Sequence, residues 1–404
     1  MKKTLIAVAA AAALTTSAFA EITFGAWLRA LAAPIAHNGE DAIVAYGNSW
    51  GWGARTARLD INGVSEDGKV GFSMGVFNDM DDGLGMGDRA VIWAKPIDQV
   101  KLSIGKFDSP DNGLRGDLCY GSWNWLRPYN WLYDGEGLTF DGIWRKGLMA
   151  EVDPIEGLHM FAVIPMSKDY AKAGEKNPDV KYQKAEDAYK NIQAGFGYTI
   201  DGIGKIKAQY IGDYKEVKVD GKDETATTGQ VGVAFDLTAV ENLYVTVGAR
   251  FGIADKDYCD AGYLKMAYTA GVSYQVTDQF KVSADGGVKM TQDDSFGKAD
   301  DPDDMAFFAG AGIDFAVADG VNLAADVRFI NTGCGEEGDD NSISFLVGVT
   351  KSISSNGYIG VAFQGSTNGA GLINNKGCNN AIAPAGEKGD DLVWAIPVAI
   401  SCWF

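Results

Sequence analysis

The sequence predicts an all-β protein, a transmembrane antiparallel up-and-down β-barrel of about 16 to 18 strands. Three observations predict it. From Asp391 to Phe404 the chain reads DLVWAIPVAISCWF, where Trp394, Ile396, Val398, Ile400, Cys402 and Phe404 form an apolar row interleaved with small residues. Similar period-two runs recur along the rest of the chain, the spacing of strands with one oily face. Tight turns alternate with longer polar segments, the signature of a membrane barrel with short turns at one end and long loops at the other.

The amino terminus agrees with export. Met1-Lys2-Lys3, an apolar run to Leu14 and Ala18-Phe19-Ala20 read as a signal peptide over residues 1–20, leaving 21–404 as one barrel domain. The apolar run is shorter than the roughly 20 residues that span a bilayer as a helix. Any membrane residence of the mature chain must therefore come from strands.

Composition narrows the class. No Pro/Ser-rich linker divides the 404 residues, and 52 glycines, 11% aromatics and a mean hydropathy of −0.08 fit strands that are half wet and half in lipid. The formal charge is −19, which argues against nucleic acid as a partner. Such acidity fits a cell-surface protein among divalent ions, or a pore that favours cations. Cys119, Cys259, Cys334 and Cys378 fall in segments that read as loops, where three pairings are open, and Cys402 lies on the last apolar row.

In chain order, Ile22 to Leu31 opens the series and can close a barrel against the last strand. Gly53 to Asn62 and Val70 to Val76 form a hairpin about Ser65-Glu66-Asp67-Gly68, and Asp88 to Lys95 and Val100 to Phe107 form the next. Trp144 to Val152 returns through Leu158 to Ile164. Beyond Lys190 the alternation sharpens through Ile192 to Ile200, Val231 to Leu237, Leu243 to Phe251, Met266 to Val276, Phe280 to Val288, Phe307 to Val317, Val321 to Phe329, Ile343 to Val349 and Ile359 to Phe363. Apolar rows should face lipid and polar rows, with Arg58, Lys207, Arg250, Asp285, Asp326 and Arg328 among them, an aqueous lumen. Isolated charges are costly to keep dry, so water in the lumen is the economical expectation. Charges pairing across a plugged interior are the alternative.

Between Phe107 and the strand beginning near residues 138–144 lies the third long loop, rich in Trp123, Trp125, Tyr129, Trp131 and Tyr133. So many aromatics predict packing rather than disorder, on the barrel interior, its rim or a second subunit. Bacterial outer-membrane barrels are similar at the carboxyl end, commonly finishing in an aromatic that the insertion machinery reads. That resemblance makes Trp394, Ile396, Val398, Ile400 and Phe404 the insertion signal.

The loop also resembles the third loop of porins, which folds into the barrel and narrows it. The resemblance implies a constriction carrying Asp108, Asp111, Arg115, Asp117, Arg127, Asp134 and Glu136, faced by a basic wall of Arg29, Arg55, Arg58 and Arg89. It also implies a homo-oligomer, a trimer. More particularly, Gly87-Asp88-Arg89-Ala90-Val91-Ile92-Trp93-Ala94-Lys95-Pro96-Ile97-Asp98, with Leu102-Ser103-Ile104-Gly105-Lys106 and Gly113-Leu114-Arg115-Gly116, resembles porin-like outer-membrane proteins of spirochaetes such as treponemes.

His37 and His159 neighbour no nucleophile motif, so hydrolysis is not expected. The acidic runs at residues 79–82, 300–304 and 336–340 lack ordered calcium-ligand spacing and read as solvated loops. No cofactor or metal is expected. The resulting expectation is an outer-membrane channel, in a Gram-negative-type or spirochaete bacterium, that passes small hydrophilic solutes and ions, cations more readily than anions. Its partners are outer-membrane lipid and those solutes. A surface adhesin or sheath protein is the alternative.

Overall fold

The computed structural model describes residues 20–47, 57–79, 83–107, 146–165, 189–219, 221–254, 264–291, 304–331, 341–367 and 392–404. Almost all of these residues lie in antiparallel strands, whose Val, Ile, Phe and Tyr alternate with small or polar residues as a pleated wall with two different faces requires.

The described strands are β1 (Ala20–His37), β2 (Ala42–Gly47), β3 (Ala57–Ser65), β4 (Val70–Asp79), β5 (Gly83–Ile97), β6 (Val100–Lys106) and β7 (Lys146–Ile155). They continue with β8 (Leu158–Pro165), β9 (Gln193–Ile200), β10 (Gly204–Ile211), β11 (Tyr214–Val219), β12 (Lys222–Leu237), β13 (Leu243–Ala254) and β14 (Leu264–Thr277). The last are β15 (Phe280–Thr291), β16 (Asp304–Ala318), β17 (Val321–Asn331), β18 (Asn341–Ser354), β19 (Gly357–Ser366), β20 (Val393–Ala395) and β21 (Val398–Trp403).

Three pairs of strands each make one stave of the wall. β2 and β3 both run against β1, with Gly47 opposite Leu31 and Ala57 opposite Leu28, so the two together make one stave along β1. β10 and β11 are consecutive along β12, and β20 and β21 are consecutive along both β1 and β19. Twenty-one strands therefore form eighteen staves, and the β1–β21 ladder, from Trp27 opposite Trp403 to Ala32 opposite Val398, closes the cylinder. Closure joins the first stave to the last, as a sheet that crosses lipid requires.

At the end holding both termini every described connection is tight. Backbone shape permits this: Gly320 has φ 64° and Asn242 φ 64°, left-handed values that Gly adopts freely and Asn tolerates. The other end departs from the expected alternation, because the first connection there is only residues 38–41 and the second only 80–82. The Asn38-Gly39 turn explains the first, with Asn38 Oδ1 accepting from the amides of Glu40 and Asp41 at 3.0 and 2.6 Å.

The two faces separate as the pattern requires. On β18, Ile343, Val347 and Val349 are exposed on the outer face, while Ser342, Ser344, Leu346 and Thr350 between them are buried. The same sorting places Leu59, Ile92, Ile104, Val233, Val272 and Ile400 outside. Apolar exposure of this kind is costly in water and favourable in hydrocarbon.

Candidate functional site

The inner face is the candidate site, and cross-strand register determines which charges meet there. On β15 to β17, Asp285 and Arg328 both stand opposite Gly310 of the intervening strand. Without a side chain at 310, the Arg328 guanidinium lies flat over β16 and donates to both Asp285 oxygens at 2.7 and 2.5 Å. Neither side chain has exposed surface. A buried bidentate pair of this geometry offsets the desolvation of both ions.

The same arrangement recurs on β3 to β5. Gly75 lies opposite Asp60, and Arg89 reaches across β4 to Asp60 Oδ1 at 2.9 Å. That oxygen also accepts from Arg58 Nε at 2.9 Å, so one carboxylate serves two guanidinium groups. Arg29, on the adjacent β1, lies 4.6 Å over the Trp27 ring. Of the basic wall expected from sequence, Arg29, Arg58 and Arg89 thus share the inner face of neighbouring staves.

A third group spans β10, β12 and β13. Lys207 pairs with Asp236, which also accepts from the Thr246 hydroxyl at 2.9 Å, and Arg250 donates to Gln230. Lys205 stands opposite Asp236 in the ladder and is exposed. On β6 and β7, Lys101 pairs with Glu151 at 2.8 Å.

The inner face is not uniformly polar, which departs from the expectation of polar rows throughout. Phe107, Met149, Phe161 and Val163 form a buried inner cluster over β6 to β8, with Val91 packed against it. Leu31, Ala324, Leu346, Ala362 and Ala399 form another across the seam, with Tyr358 packed against it. Alternation predicts which face a residue takes but not whether its neighbours on that face are polar. Arg58, on β3, lies between these clusters, whereas Arg29 shares β1 with Leu31 and Arg89 shares β5 with Val91.

The other sequence-predicted positions divide cleanly. Trp394, Ile396, Val398, Ile400 and Cys402 alternate with the buried Val393, Ala395, Ala399 and Ser401, as the period of two predicts. The Phe404 amide and carbonyl pair with Ala26 at 2.8 and 2.9 Å, and its ring is 76% exposed. Arg55, the third-loop residues Asp108, Asp111, Arg115, Asp117, Arg127, Asp134 and Glu136, and the aromatics Trp123, Trp125, Tyr129, Trp131 and Tyr133 lie outside the described residues.

Gly310 and Gly75 were not expected from sequence as parts of the site. The only signal is a Gly at an inward position on the stave between an Arg and an Asp, visible once register is known.

His159 Nδ1 lies 2.7 Å from Asp153 Oδ1 by the tight β7–β8 turn, whereas His37 stacks on Trp394 at 6.1 Å near the loop end. No group of three or more metal-ligating side chains occurs among the described residues.

No family model matches the chain, and no curated protein matches it in sequence. Nothing in these comparisons singles out the treponemal proteins. Among solved structures, the chain is similar to OmpT, an outer membrane protein of Vibrio cholerae folded in vitro. The TM-score is 0.51 at 14% identity over 95% of this chain and 98% of that one. The trimer form of that protein gives 0.50 at 14% identity over 95% and 99%. The likeness is one of fold, a closed antiparallel transmembrane β-barrel.

Proposed function

We propose that the protein is a porin-like, water-filled channel of a bacterial outer membrane, through which small hydrophilic solutes diffuse down their gradients. The observation that carries this reading is a closed wall of eighteen staves with charge on its inner face. Staves about 4.8 Å apart and tilted about 40° give a backbone radius of about 18 Å. Among the described residues, Arg328 and Arg89 lie along the wall rather than across that width. Barrels of this size usually hold an aqueous channel.

The signal-like segment 1–20 supports export, and the apolar outer face supports residence in lipid. The third connection, with its acidic and aromatic residues, belongs to this reading as the element that narrows the pore. The trimer form of the similar Vibrio cholerae protein supports a homo-trimer. The acidity of the whole chain, with a formal charge of −19, supports cation passage.

The test is conductance of purified protein in planar bilayers, with liposome swelling in sugars of graded size. Stepwise conductance and swelling that declines with solute size are expected. Correctly folded protein that gives neither contradicts the reading.

A further inference from the structure

We infer that the lumen carries, near the end holding the tight turns, a subsite for the rings of sugars, built by Trp403, Trp27, Tyr358 and Arg29. The inference rests on the channel reading above and names a solute class for it.

These four side chains come together where the barrel closes. Trp403 of β21 stands directly opposite Trp27 of β1. Arg29 stands opposite Ser401, which faces Tyr358 of β19 on its other side. The Tyr358 and Trp403 rings lie 6.2 Å apart at 57°, and the Arg29 guanidinium lies 4.6 Å over the Trp27 ring. Three rings and a guanidinium thus occupy neighbouring positions on three consecutive staves.

Alternation places them on the inner face. On β21, Ile400 is exposed outside and Ser401 buried inside, so Cys402 takes the outer row and Trp403 the inner one. On β1, Leu28 is exposed outside, which sends Trp27 and Arg29 inward with the buried Leu31. A belt of rings at the lipid boundary would take the opposite face.

Core packing does not account for Trp403 either, since it remains 43% exposed. An indole face kept in water is costly, and a solute that covers it recovers that cost. The residue is also held before any solute arrives. Its amide donates to the Asn356 carbonyl at 2.9 Å, and its carbonyl accepts from Asn356 Nδ2 at 3.0 Å. Groups fixed in advance lose less entropy on binding.

The pairing of side chains selects the ligand. A pyranose ring has a flat apolar C–H face and a rim of hydroxyl groups. The face covers an indole, and the hydroxyl oxygens accept from a guanidinium, which can only donate. An indole beside a guanidinium meets both requirements of one sugar ring, an apolar surface with a placed polar group.

The experiment is block of the ionic current by cellobiose, whose glucose rings present flat C–H faces, through the full-length protein in a planar bilayer. Calorimetric titration of cellobiose into the folded protein in detergent accompanies it. Wild type should show block that saturates with cellobiose concentration, and a saturable heat. Trp403→Ala should raise the half-saturating concentration roughly fivefold, the loss of one ring contact, and Trp403→Phe should raise it less. Arg29→Gln should raise it as well, whereas Val361→Ala, on the outer face of β19, should not. Heat-dependent gel mobility verifies that each variant forms the barrel. Conductance with neither saturable block nor heat overturns the inference while the channel stands. Equal block by a polyethylene glycol of the same mass overturns it too, as does an unchanged affinity in both Trp403→Ala and Arg29→Gln. Saturable heat without conductance keeps the subsite and defeats the channel reading, and absence of both defeats both.

Discussion

Arg328 holds Asp285 across the full width of an intervening strand, and Gly310 is what lets it do so. A Cβ at 310 would stand 2.8 Å from the Val327 carbonyl oxygen and 3.0 Å from Arg328 Cζ. The first contact is with backbone and cannot be relieved by turning a side chain. The Phe308 ring lies 5.1 Å from the guanidinium on the same inner face. Side-chain length, register and one missing methyl group together create the pair.

Gly310→Val should therefore lift the guanidinium from its carboxylate and lower the unfolding free energy by about 3–5 kcal/mol, the cost of breaking a buried pair. Asp285→Leu with Arg328→Met, keeping Gly310, should instead cost little, since a buried pair replaced by apolar groups is nearly neutral. Urea unfolding in lipid vesicles measures both. Gly75→Ala should be milder, because its new Cβ meets the movable Arg58 side chain at 3.3 Å.

The turns beside the amino terminus carry a pH dependence of defined sign. Lys69 hydrogen-bonds Asp98 at 2.5 Å and holds its carboxyl below the usual carboxylate range. The Ser65 hydroxyl, followed by the Lys69 amide, does the same for Asp67. Depressed folded values mean stabilisation that is complete above the unfolded carboxylate value of about 3.9 and lost as pH falls through the folded values. Protection factors of the amides of Gly68, Lys69 and Val70, corrected for the intrinsic exchange rate, should fall on acidification below about pH 4. Asp98→Asn should flatten that response. Both carboxylates are exposed, so the effect should be small and weaken in salt.

Phe404 separates folding from assembly. Its backbone bonds to Ala26 are independent of the ring, which faces outward. Phe404→Ala should leave the unfolding free energy of refolded protein within about 1 kcal/mol of wild type. If the terminal row is an insertion signal, the same variant should assemble poorly in cells. Equal assembly of variant and wild type would contradict that role.

Much of the wall was legible because alternation is a local property. The outer rows through Val231 to Leu237 and Ile343 to Val349 follow directly from the period of two, and their tight turns set the register. Two local signals passed unread. Asn38-Gly39 ends β1 and starts β2, and Asp220-Gly221 joins β11 to β12, both favoured hairpin dipeptides. The split stave of β2 and β3 was hidden for another reason, since the nine intervening positions interrupt the alternation that would link them.

The charge pairs were less legible, because Arg328 and Asp285 are separated by 43 positions and meet only through register. The inner apolar clusters were hidden similarly: Phe107, Met149 and Phe161 come from three successive staves and meet only through register.

The central claim is that this wall encloses water and faces lipid, and paramagnetic collision measurements on membrane-embedded protein test it most directly. Spin labels at cysteines replacing Lys205, Lys289 and Asp314 should collide with a water-soluble nickel chelate, and labels replacing Ile206, Val288 and Phe315 with lipid-dissolved oxygen. Both sets shielded from nickel and from oxygen would mean a dry interior packed between sheets, and would contradict the account.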